Sequence, residues 1–176
     1  SNEIESLDIH VNEVKEKCPV RVYYKEGSYM GFEDDPDAWT MIVSDNVYCR
    51  GFEKRTNIPN ELFTKKIIIE GWKRIALYVT LSTPNLRYTK PDASQPISSV
   101  GDDYLNVHEG TGLAGLFEKF YYPRIFNGVI KYKAQEEKHI SLGGNDDEPI
   151  HGGYDNTKDS CQRKIEGTPG LTTENY

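Results

Sequence analysis

Between Val22 and Tyr78 the chain alternates short β-branched and aromatic runs with turns built on Gly, Asn and Asp, which leaves no room for a long helix. No stretch of the sequence carries helical apolar spacing over more than about ten residues. Period-two alternation predicts strands at Leu7–Val11 and Val20–Tyr24. Lys25 to Ser28 then predicts a tight hairpin turn, with Tyr29–Glu33 as the returning strand and Gly27 and Gly31 placed for close or left-handed backbone. Trp39–Val43 and Val47–Arg50 read as a second hairpin around Ser44-Asp45-Asn46, whose side chains bond their own backbone. Lys66–Ile69 and Ile75–Leu81 are further strands, separated by Gly71-Trp72. Ser82–Gly101 reads as a long loop, Leu113–Tyr122 as either helix or strand, and Arg124–Tyr132 as a strand bent at Gly128. From Gln135 onward the chain is polar and glycine-bearing, and is expected to wrap the surface or to stay partly disordered. The fold class is therefore all-β, an antiparallel β-sandwich with a long irregular C-terminal segment.

The 176 residues carry a net charge of -7, which argues against binding to nucleic acid or anionic membrane through charge. No apolar run approaches the roughly 20 residues a membrane helix needs. The chain begins Ser1-Asn2 without Met or a signal peptide, as a mature or trimmed form would. Cys18, Cys49 and Cys161 allow one disulfide with one free thiol, or three thiols in a reducing compartment. Twelve tyrosines suit β-structure and, where exposed, a recognition surface.

Tyr24, Tyr29 and Gly31 spell an aromatic, four residues, an aromatic, one residue and a glycine. Asn60-Glu61-Leu-Phe-Thr64, Gly71-Trp72 and Leu77-Tyr78 follow, and Asp102-Asp103-Tyr-Leu-Asn106 begins 42 residues after Asn60. Over residues 20–122 this resembles a βγ-crystallin double Greek key. The resemblance implies a Greek-key sandwich flanked by an N-terminal strand and linker (residues 1–19) and by an extra strand with a Gly-rich wrap (residues 123–176). It also implies calcium held by Asn60, Glu61 and Thr64 in one arch and by Asp102, Asp103 and Asn106 in the other. Calcium takes six to eight oxygen ligands, which such arches can share. Glu61, Lys65 and Asn106 depart from the family's spelling, as does Leu86-Arg-Tyr88 in the second hairpin. Lys65 puts positive charge beside the first arch, making the second the better site.

Other motifs carry less. Gly110-Thr-Gly-Leu-Ala-Gly115 has the dinucleotide spelling without a long helix behind it. Gly143 to Gly153 has the period of a calcium-binding nonapeptide repeat, but one repeat and a fragment cannot stack. His10 has no second His or Cys nearby; His108, beside Glu109 and the second arch, reads as a loop residue or a modulator of that site, His139 and His151 read as loop residues of the tail, and no nucleophile elbow or His-Glu-x-x-His is present. The expected function is a noncatalytic, calcium-binding module for recognition or adhesion, or a secreted effector or toxin component. It would be secreted or at the cell surface, with a cytoplasmic place left open, and its partner would be a protein or a glycan. One alternative is a glycan-active enzyme, with Glu33, Asp34, Asp35 and Asp37 in an acidic cleft walled by Trp39 and Trp72. Another is a viral or phage surface jelly roll.

Overall fold

The computed structural model describes residues 1–91, 100–134 and 162–166. Cys161, His139, His151 and the Gly143–Gly153 stretch lie outside them. Thirteen strands follow in order: β1 Asn2–Ile9, β2 Val14–Glu26, β3 Thr40–Arg50, β4 Thr56–Pro59, β5 Ile68–Ile69, β6 Ile75–Leu81, β7 Tyr88–Thr89, β8 Val100–Gly101, β9 Asn106–Val107, β10 Gly110–Leu113, β11 Phe120–Phe126, β12 Gly128–Ala134 and β13 Gln162–Glu166. All pairings are antiparallel. The larger sheet runs β13-β12-β1-β4, with β5 also on β1; a second runs β3-β2-β6, and a third β10-β11-β7. β8 and β9 form a short hairpin of their own. This is the expected all-β architecture, consistent with a β-sandwich. The pairings do not define a Greek key.

One core joins the two larger sheets. Leu7 and Ile9 of β1, Val20 and Val22 of β2, Ile42 and Val43 of β3, and Tyr132 of β12 are all buried in the same cluster. β2 places Cys18, Val20, Val22 and Tyr24 inward in strict alternation. β1 instead buries Ser6 and Asp8 as well as Leu7 and Ile9, because it has strands on both sides. Asp8 is satisfied there by Asn57 Nδ2 at 2.5 Å and by Lys131 at 3.5 Å.

Several expectations need correction. The divisions at 19/20 and 122/123 fall inside β2 and β11, and the supposed N-terminal linker region contributes the middle strand of the larger sheet. Tyr29–Glu33 is not a strand. Ser28 Oγ accepts from the Met30 amide, Glu33 Oε2 from Gly31 and Asp35 Oδ1 from Asp37, so side chains take the N–H groups that a ladder would use. Gly27 and Gly31, at φ +80° and +82°, turn this loop, and a 3₁₀ turn at Pro36–Ala38 ends it. The expected turn at Ser44-Asp45-Asn46 is absent, because β3 runs straight through it opposite Pro19, Val20 and Arg21. β2 pairs with β3 without a register shift from Cys18 to Val22, and the three polar side chains stay exposed. The ambiguous Leu113–Tyr122 segment is the end of β10, a turn and the start of β11. The bend expected at Gly128 lies at Asn127, between β11 and β12.

Candidate functional site

The two arches lie on different elements. Asn60 and Glu61 open a 3₁₀ turn, Asn60–Leu62, and are exposed with Thr64. The Thr64 amide donates to the Ile42 carbonyl at 2.8 Å, which ties the turn to β3. Lys65 Nζ sits 3.7 Å over the Tyr24 ring rather than at a metal site. In the β8–β9 hairpin, Asp102 Oδ1 accepts from the amides of Tyr104 and Leu105 at 2.9 and 3.0 Å. The Tyr132 hydroxyl donates to both Asp102 carboxylate oxygens, at 2.7 and 2.6 Å. Asp102 thus caps a turn and pins it to β12, where Tyr132 is fully buried. Asn106 pairs with Gly101 across the hairpin, and Asp103 is exposed. Among the described residues no three His, Cys, Asp or Glu side chains cluster as metal ligands.

The acidic loop makes no cleft either. Glu33 alone of its four carboxylates borders a large cavity, and Asp35 is used as a cap. Trp39 and Trp72 both line that cavity, Trp39 anchored by its indole N–H to the Phe32 carbonyl at 2.8 Å and Trp72 fully exposed at φ +62°.

The cavity is a cleft of about 1420 Å³, lined by all of β6, by β10 and the turn after it, and by Tyr121, Arg124, Ile125 and Phe126 of β11. Tyr88 and Leu86 close one part, and Tyr29 and Trp39 another. Tyr23, Tyr78 and Phe117 pack as a cluster beside it, with centroids 5.2 to 5.5 Å apart. Gly112 is required by this packing: a Cβ there would lie 2.9 Å from the Tyr88 ring. That contact accounts for a glycine of the dinucleotide-like motif without a nucleotide.

β6 meets the cleft as an unpaired edge. Its one partner among the described residues is β2. The Gly27 amide donates to the Arg74 carbonyl at 2.8 Å, one step beyond the Glu26–Ile75 pair. Antiparallel alternation then turns the backbone groups of Ala76, Tyr78 and Thr80 toward β2, and those of Ile75, Leu77 and Val79 toward the cleft. No backbone hydrogen bond outside the β2 ladder involves these last three among the described residues. The strand reads Ile-Ala-Leu-Tyr-Val-Thr-Leu, with none of the lysines, prolines or inward charges that usually blunt an open edge.

One end of the cleft is fastened by tyrosines. Tyr122 donates to Glu109 Oε1 at 3.1 Å, and Tyr29 to the Glu109 carbonyl at 3.4 Å. Burial first, then Tyr122 and Glu109, pushes the Tyr29 hydroxyl up to about 12, so Tyr29 is a neutral donor at physiological pH.

Sequence reasoning identified β6 as a strand but missed that it is an edge. The uncharged seven-residue run was the available signal. Arg124, in the opposite wall, gave no signal at all.

The chain matches no family model, no curated protein and no solved structure.

Proposed function

We propose that this chain is a noncatalytic recognition module that takes an extended segment of a partner protein as an added strand along β6. The observation that carries the reading is the uncharged β6 edge, which has no second strand partner among the described residues and lines the cleft along its whole length. Strand addition draws affinity from main-chain hydrogen bonds, and pockets for alternate side chains supply selectivity. At about 1420 Å³ the space exceeds the roughly 300–1,000 Å³ usual for small-molecule sites, which suits a polymer segment. The Cys18–Cys49 disulfide supports a secreted or cell-surface place, since such bonds persist in oxidising compartments.

The test is a displayed library of random octapeptides, followed by amide hydrogen exchange on the protein. In the free protein Ile75, Leu77 and Val79 amides exchange fast while Ala76, Tyr78 and Thr80 are protected. Bound peptides protect the first set and lose affinity when alternate peptide amides are N-methylated. A library yielding no binders, or binders that leave the β6 amides unprotected, would sink the reading.

Kinship with the βγ-crystallins, and calcium with it, is a separate part of the proposal that rests on the spelling of the two arches. Melting curves with calcium and with chelator test it. A calcium-dependent rise in Tm that D103N abolishes supports a site at the second arch, and superimposed curves remove it. Asp103 is the informative position because Asp102 already holds the hairpin to Tyr132.

A further inference from the structure

The β11 wall of the cleft holds a charge that nothing nearby neutralises. Arg124 is only 8% exposed, and its Nε has no hydrogen-bond partner. Nη1 donates to the Pro123 carbonyl at 2.8 Å, and the guanidinium carbon lies 5.5 and 5.6 Å from the ring centroids of Tyr88 and Tyr121. Among the described residues no carboxylate forms an ion pair with it. A guanidinium cannot escape burial by losing its proton, so an unpaired one is costly to hold in a fold. Tyrosine faces offset part of that cost, and an anion is what would complete the site.

The surroundings point the same way. The protein carries a net charge of -7, yet the cleft is lined by Arg21, Lys73, Arg74, Arg87 and Arg124 against three carboxylates. The cleft therefore runs against the sign of the whole molecule.

We infer that Arg124 is an anion-recognition position in this cleft, and that the peptide added along β6 presents a carboxylate to it. This rests on the cleft reading above. A carboxylate matches the guanidinium fork with two parallel N–H···O bonds, and Nε is one of the donors such a pair uses. The carboxylate belongs either to an Asp or Glu side chain or to a free C-terminus, two sources of the same chemistry.

The experiment uses the full chain and a positional-scanning library of acetylated octapeptides, made both as free acids and as C-terminal amides, with binding read by fluorescence anisotropy. The expected result is a preference of about tenfold or more for an acidic residue at one position, or for the free-acid form. The first outcome identifies a side chain as the source, and the second a chain end. In R124Q that preference disappears, so that acidic and neutral peptides bind with equal affinity. R124Q is also expected to melt no lower than the parent, because it removes an unpaired buried charge. A fall in Tm would mean the guanidinium is already satisfied within the fold, and would overturn the inference. Peptides that bind along β6 without an acidic preference, or that keep it in R124Q, overturn it too while leaving the cleft reading intact. If no peptide binds at all, both fail.

Discussion

Gly128→Ala is expected to destabilise the fold by about 3 kcal/mol or more, because overpacking against fixed backbone leaves little room to relax. Gly128 opens β12 opposite Ile9, and a Cβ there would lie 2.1 Å from the Asp8 carbonyl oxygen and 2.5 Å from the Phe126 ring. Phe126 could swing aside. The Asp8 carbonyl cannot, because β1 is paired on both sides, with β12 and with β4. In a chain of this size the loss corresponds to a drop of roughly 6–12 °C in Tm. Gly110→Ala is the matched control, since a Cβ there meets nothing within 4 Å. Equal stability of the two variants in urea would show that the β1–β12 contact is looser than drawn.

The second large effect belongs to the disulfide. Cys18 of β2 and Cys49 of β3 are bonded, with Cα atoms 5.8 Å apart and a sequence separation of 31. Closing a loop of that size is expected to contribute about 3–4 kcal/mol through the unfolded state. The double variant C18A/C49A should lose that much unfolding free energy in a urea titration. Alanine suits both sites, because each cysteine is buried and a serine would add an unpaired hydroxyl. Reductant should weaken the parent and leave the double variant unchanged. With three cysteines in the chain, a thiol titration under denaturant should find one before reduction and three after. A count of three in the unreduced protein would contradict the bond.

Both effects come from pairings that the sequence hid to different degrees. β2 and β6 were legible because their apolar and aromatic residues recur without interruption. Local turn chemistry misled twice, in opposite directions. Ser44-Asp45-Asn46 has the composition of a turn, yet a thirteen-residue partner strand holds it extended. Tyr29–Glu33 looked like a strand, yet three short polar side chains bond the local backbone first. The arches at Asn60 and Asp102 were legible as polar turns. Whether their oxygens converge depends on which sheets carry them, and a linear spacing of 42 residues says nothing about that. Arg124 was invisible for a related reason. Its guanidinium lies beside the rings of Tyr88 on β7 and Tyr121 on its own strand, a relation to β7 that is fixed only when the sheet assembles.

The position of β1 also has a temporal side. Residues 2–9 are synthesised before every other described strand but form the middle of the larger sheet, and β12 ends only at Ala134. At about 5–20 residues per second of synthesis, β1 waits roughly 6–25 s for that neighbour. Cys18 and Cys49 emerge early in this interval, and β6 soon after them. The β3-β2-β6 sheet can thus assemble while Leu7 and Ile9 are still exposed. Any factor that shields newly made chains therefore has longer to engage β1 than any later described strand of that sheet.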